Sequence, residues 1–246
     1  MQLLTEDLVW CVNRLPKLLR KLIKEKPNQL IVAGGFIRSC IANEKVNDID
    51  VFSPSVEDAK LCVSILMLAG PDVLKVVKTE NALTICTKPY PVQFIHKWVF
   101  AKPEDVIPSF DFTVAKAAIW YDGKNWVSLC DDRFYLDLAA KRLVYCSPIR
   151  NEAAGGSMLR VLKFYQRGYR IPLDSMGAVI ARLVQAVQME EIAKWSKEKQ
   201  EKQLAKVLTG LLREVDPNID PEHIAHLPTT EQTIEESNAA PNDTRP

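Results

Sequence analysis

The sequence predicts an α+β protein: a small mixed β-sheet flanked by helices, followed by an α-helical segment. Three features of the chain predict it. A strand–turn–helix–strand pattern occupies residues 29–52. Short apolar runs bounded by turn residues recur between 73 and 129. Apolar residues at helical spacing dominate 3–25 and the stretch from 158 to 212.

In chain order, residues 3–25 set Leu4, Leu8, Cys11, Val12, Leu15, Leu18, Leu19 and Leu22 on one helical face, and Pro16 divides the pattern into two helices. Lys17, Arg20, Lys21 and Lys24 fall on the outer face. A solvated surface and an attraction for nucleic acid both fit them.

Leu30 to Ala33 is short, partly β-branched and stopped by Gly34-Gly35, which marks a buried strand. Phe36, Ile37, Cys40 and Ile41 then share one face of a helix. Paired glycines at such a corner allow close approach of backbone to a ligand, and the new helix offers N–H groups to an anion. Asn47 to Phe52 alternates polar and apolar residues. On a strand, Asp48 and Asp50 project side by side while Ile49 and Val51 face the core. Carboxylates about 6–7 Å apart along a strand can share a hard divalent cation, Mg²⁺ or Mn²⁺. A phosphate cradle and a carboxylate pair in one unit suit metal-assisted phosphoryl chemistry.

Ser53-Pro54-Ser55 predicts a turn and cap before a helix over 56–69. Strands follow at Val73–Lys78, Ala82–Thr87 and Val92–His96, with Lys88-Pro89-Tyr90-Pro91 as a break. Pro103–Ile107 suggests a short helix, and Asp111 opens another element. Asp122-Gly123-Lys124-Asn125 between Ile119–Tyr121 and Trp126–Leu129 is a hairpin signal. Residues 137–145 read as a short helix and strand. Beyond them the helical pattern runs from Ser175 to about Leu212.

Gly34-Gly35-x-x-Arg38 with Asp48-x-Asp50-x-Phe52 resembles the head domain of the tRNA nucleotidyltransferase and poly(A) polymerase group, within the DNA polymerase beta-like nucleotidyltransferase superfamily. Phe110-Asp111-Phe112-Thr113-Val114-Ala115 resembles that group's Arg-Arg-Asp-Phe-Thr block, and Met158 to Tyr169 its neck helix. The similarity spans roughly residues 29–172 in the family's order. It implies a nucleotidyltransferase head over 29–146 and a helical neck over 147–215, between the helical segment that periodicity gives over 1–28 and the acidic tail that composition gives over 216–246.

It also implies transfer of NMP from an NTP to a hydroxyl, most simply an RNA 3′ end. Asp48, Asp50 and Asp111 are the expected catalytic residues, with the metal on Asp48 and Asp50. Gly34, Gly35, Phe36, Arg38 and Ser39 are expected around the phosphates, joined by Arg160, Lys163 and Arg167.

Two departures matter. Where such enzymes carry a third strand carboxylate, this chain has Gln93, whose neutral amide is a weaker ligand. Asp111 could supply the missing acid, the site could run on two carboxylates, or the domain could be a non-catalytic nucleotide- or RNA-binding module. The Glu-Asp-x-x-Arg base-reading motif is replaced by Ala153-Ala154-Gly155-Gly156-Ser157, so CCA specificity is not expected.

Composition supports a folded chain, with 47% apolar residues among 246. No apolar run reaches the length of a membrane span, and the six scattered cysteines suit reduced core thiols, so a cytoplasmic protein is expected. Net charge is +1, but seven acids against Arg245 alone give residues 216–246 a charge of −6, which leaves +7 on the rest. Between Ser157 and Arg213, eleven basic residues stand against five acids, a candidate RNA contact. The proline-rich acidic tail, with His223 and His226, is expected to lack ordered structure and a metal site.

Overall fold

The computed structural model describes residues 1–69, 73–148 and 155–215. It divides into two compact units, Met1–Glu152 with Arg160–Arg182, and Ala153–Leu159 with Leu183–Pro246. The predicted acidic tail and its two histidines lie outside the described residues. All six cysteines are free thiols.

The first unit opens with α1 (Thr5–Arg14) and α2 (Lys17–Glu25). Glu6 and Asp7 at the start of α1 and Arg14 at its end complement the helix dipole. Leu15, held extended before Pro16, ends the first helix, and Pro16 caps the second. Leu19, Leu22 and Ile23 are the buried face of α2.

β1 (Ile31–Ala33), α3 (Gly35–Ile41) and β2 (Ile49–Phe52) follow, then α4 (Val56–Ala69), β3 (Val73–Lys78), β4 (Ala82–Thr87) and β5 (Val92–Ile95). The Ser55 hydroxyl accepts the Asp58 N–H at 2.9 Å at the start of α4, as the Ser-Pro-Ser signal predicts. A 3₁₀ helix at Pro103–Ser109 and another at Thr113–Ala115 precede the hairpin of β6 (Ala117–Tyr121) and β7 (Trp126–Cys130), which leads into α5 (Phe134–Ala139). The Asp122 carboxylate accepts the N–H groups of Lys124 and Asn125, both at 2.7 Å, and so ties the hairpin turn.

Seven strands make one mixed sheet in the order β3-β4-β5-β2-β1-β6-β7. Among the described strands only β2 and β5 pair in parallel. Ile31, Ala33, Phe52, Ala82, Ile95, Ala118 and Trp120 form a core that Val106, Ile107 and Phe110 cover. Period-two alternation sends Val32, Ile49, Val51 and Phe94 to the opposite face, where they too are buried. Asp50 shares its face with Phe52, so that layer is apolar at one end of β2 and acidic at the other.

Two expectations change. The strand foreseen near Tyr145 is reduced to single bridges, Phe112 with Tyr145 and Arg142 with Arg170. Asp137, fully buried in α5, explains the local arrangement. It accepts from Thr113 Oγ1 at 2.7 Å, Arg133 Nε at 3.1 Å and Arg142 Nε at 2.9 Å, so the chain after α5 is bound to a carboxylate rather than a ladder.

After α6 (Gly156–Gln166), the single helix expected from Ser175 to about Leu212 is instead α7 (Leu173–Gln185), α8 (Met189–Ala193) and α9 (Lys197–Val215). In the second unit, Ser196 stands at the start of α9, where serine competes well with continued helix. The Gln200 amide donates to the carbonyls of Ala193 (3.3 Å) and Trp195 (2.8 Å), which satisfies the end of α8.

Gly34 turns β1 into α3 with φ +81°, in the half of conformational space that side chains avoid. A Cβ there would stand 2.9 Å from the Phe110 ring, whereas one on Gly35 would meet nothing closer than 3.9 Å. Gly34→Ala is therefore expected to cost roughly 1–3 kcal/mol, and Gly35→Ala much less. Urea denaturation of the two variants checks the difference.

Candidate nucleotide site

Within the first unit, the acidic end of β2 faces a cleft of about 320 Å³. Gly35, Arg38 and Ser39 of α3 line one wall, Asp48 and Asp50 another, and Asp111 with Arg160, Lys163 and Arg167 a third. The two aspartates thus share one concavity with the start of α3. Gly34 and Phe36 stand behind it: the Gly34 N–H is spent on the Ala117 carbonyl at 2.9 Å, and the Phe36 ring is in the core.

Asp48 is exposed at the cleft, with Arg38, Lys163 and Arg167 lining it too. Burial there raises its pKa above the ordinary carboxylate value, opposed by Arg167, Arg38 and Lys163.

Asp50 pairs in register with Gln93 across the parallel ladder, and Gln93 pairs with Thr84 on its other side. The Gln93 amide donates to Thr84 Oγ1 at 3.2 Å. A neutral amide therefore occupies the strand position beside Asp50.

Asp111 is 1% exposed, and its Oδ2 accepts from Arg160 Nε at 2.7 Å. Among the described residues no three His, Cys, Asp or Glu side chains converge as a metal-binding group. Asp48 and Asp50 supply two hard oxygen donors, which fits an ion of the Mg²⁺ type that takes its remaining ligands from water and substrate phosphate.

Arg38 is 5% exposed and rests on a network that sequence reading did not find. Its Nε lies 3.3 Å from Glu44 Oε2, its Nη2 donates to Ser39 Oγ at 2.9 Å, and its guanidinium sits 4.9 Å from the centre of the Phe164 ring. Tyr169, fully buried, donates to Glu44 Oε1 at 2.8 Å. Burial lowers the Arg38 pKa and Arg167 adds to that, while Glu44 opposes both. Burial, with the bond to Glu44, pushes the Tyr169 phenol up. Asn47, Phe110, Ala115 and Phe164 also line the cleft. All four fall inside stretches that the sequence singled out, but none was named for the site, and Tyr169 lies 125 residues from Glu44, so their pairing is beyond any local pattern.

A family model for Gabija anti-defense 2 family proteins matches residues 6–141, more than half of the chain. The chain belongs to that family. A curated relative, Gabija anti-defense 2 of Bacillus phage SPbetaL7, is 30% identical over 146 residues, 59% of this chain and 35% of the phage protein. This Gabija anti-defense 2 family member thus spans about a third of its relative's length in the match.

Its fold is similar to that of CCA-adding enzymes. The Thermotoga maritima enzyme complexed with tRNA aligns over 81% of this chain and 49% of its own, with TM-score 0.51 and 18% identity. A CCA-adding enzyme with ATP aligns over 83% and 50%, with TM-score 0.53 and 19% identity. The family member therefore has a nucleotidyltransferase-like fold and spans about half of those chains.

The raised pKa of Asp48 sets a pH test. The folded state retains the Asp48 proton to a higher pH than the unfolded chain does, so this group's contribution to stability falls as pH rises from the ordinary carboxylate value through its folded pKa. Asp48→Asn removes that penalty. The variant is expected to melt above the parent protein at pH 7, with the difference vanishing below about pH 4; paired thermal melts across that range check it.

Proposed function

We propose that this protein transfers NMP from an NTP to a hydroxyl acceptor, with an RNA 3′ end as the acceptor, without CCA specificity. One observation carries the reading: Asp48 and Asp50 line the same cleft as Arg38, Lys163, Arg167 and the first turn of α3. Carboxylates for a metal and cations for a triphosphate occupy one concavity, as phosphoryl transfer requires.

In this reading Asp48 and Asp50 hold Mg²⁺ or Mn²⁺. The bound metal supplies charge neutralisation at the phosphates and lowers the pKa of a coordinated hydroxyl. Arg38 and Lys163 with Arg167 bind the β- and γ-phosphates and stabilise departing pyrophosphate. Gly35 lets those phosphates approach the backbone, and Ser39 steadies Arg38. Asp111 acts through Arg160, which it holds at the cleft wall. The Phe164 ring, beneath Arg38, walls the cleft where a base or ribose would lie.

The fold resemblance to enzymes complexed with tRNA, ATP and CTP supports nucleotide and RNA as ligands. The family name and the phage relative support a role against the defence called Gabija. A second reading, nucleotide binding without transfer, draws on Gln93 standing in register with Asp50 where a third carboxylate would serve.

The test offers each labelled NTP with Mg²⁺ or Mn²⁺ and total RNA. Pyrophosphate release and labelled RNA are expected, both abolished by Asp48→Ala and by Asp50→Ala in proteins that remain folded. Nucleotide binding with no release from any NTP would establish the second reading instead. In the transferase, Gln93→Asp adds a charged ligand beside Asp50 and is expected to lower the Mn²⁺ concentration for half-maximal release several-fold, as a metal titration measures.

A further inference from the structure

A second concavity in the first unit, about 650 Å³, is formed by α1, α2 and the start of β7. Lys17, Arg20, Lys21 and Lys24 line it along the exposed side of α2, and Trp126 lines it from the hairpin. Leu8, Val9 and Val12 of α1 give it an apolar floor. It contains none of the residues of the acidic cleft.

Lys17 and Lys21, and Arg20 and Lys24, are four residues apart, and Lys17–Arg20 and Lys21–Lys24 three, which are steps of about 6 and 4.5 Å along the helix axis. Leu19, Leu22 and Ile23 anchor the other side of α2 in the core, so the row is held on a fixed rod. Its compensation is slight. Lys21 pairs with Glu25 at 3.8 Å with both side chains more than half exposed, an arrangement of small energetic value. Arg20 donates to the neutral Asn13 at 3.2 Å. Lys24 lies 5.7 Å from the centre of the Tyr121 ring, and Tyr121 meets Trp126 edge-on at 5.7 Å.

We propose that this groove binds single-stranded nucleic acid. Successive phosphates lie along Lys17, Arg20, Lys21 and Lys24, and a base packs on Trp126 against the apolar floor. A row of cations beside an aromatic platform is the combination by which proteins hold single strands with little sequence preference. Charge complementarity selects a polyanion, and the half-buried indole selects one with flat apolar faces. The proposal is independent of transfer at the acidic cleft, and its test uses neither NTP nor divalent metal.

Fluorescence anisotropy of the full chain with a labelled 12-nucleotide oligouridylate reads the binding. Lys17→Ala/Lys21→Ala/Lys24→Ala is expected to weaken it on the order of tenfold or more and to reduce the slope of log K against log salt by about 2. Trp126→Leu should weaken it about fivefold or more, and Trp126→Phe should restore most of the loss. Asp48→Ala/Asp50→Ala should leave it intact, which separates this surface from the transferase reading. Unchanged affinity in the triple-lysine variant, no rescue by phenylalanine, or equal competition by polyglutamate would each overturn the proposal, the last in favour of an acidic protein partner.

Discussion

The antiparallel pairing of β1 with β2, Ile31 against Phe52 and Val32 against Val51, decides where every candidate group stands. Side chains alternate along a strand, so a slip of one residue in this register would carry Asp50 to the opposite face and bring Val51 into the cleft. Burial on both faces prevents the slip. Val32, Ile49 and Val51 fill one layer while Ile31, Ala33 and Phe52 fill the other. Gly34 extends the constraint beyond the strand. Its positive φ and the contact with Phe110 that a hydrogen alone allows start α3 at the end of β1, next to the acids.

The cleft's charges depend on buried support more than on one another. Arg38 is almost wholly enclosed, and a guanidinium so placed is costly unless its donors are matched. Glu44 balances its charge from 3.3 Å, Ser39 accepts from Nη2, Phe164 covers the face, and Tyr169 fixes Glu44. Asp111 and Arg160 form a comparable pair on the other wall. Between them, the exposed Asp48 keeps a pKa raised by its enclosure. The site is firm where it would grip phosphate and adaptable where it would meet a cation.

Local pattern made much of this legible. The strand stopped by two glycines, the alternation from Asn47 to Phe52, the proline break after Leu15 and the Asp-Gly-Lys-Asn turn each specify backbone within a few residues, and each occurs as read. What the sequence concealed is long-range. Nothing near Glu44 announces Tyr169, and nothing near Thr113 announces the buried Asp137 that ties it to Arg133 and Arg142. The over-long helix after Ser175 failed for a related reason. Apolar periodicity continues through Gln188 and Ser196, but at the end of α8 the Gln200 side chain takes up the free carbonyls of Ala193 and Trp195, an ending that periodicity does not register.

The ladder Asp50–Gln93–Thr84 bears on how such a cleft could work. Three adjacent carboxylates repel one another, which pushes the pKa of one of them up unless a cation neutralises them. An amide beside Asp50 removes that repulsion, and its N–H finds an acceptor in Thr84. The cost is weaker capture of free Mg²⁺, because two carboxylates hold it less firmly than three. A triphosphate supplies the missing negative oxygens, so in the transferase reading metal and nucleotide enter together and each raises the affinity for the other. In that reading the same amide that argues for lost catalysis suits a metal that arrives with the nucleotide.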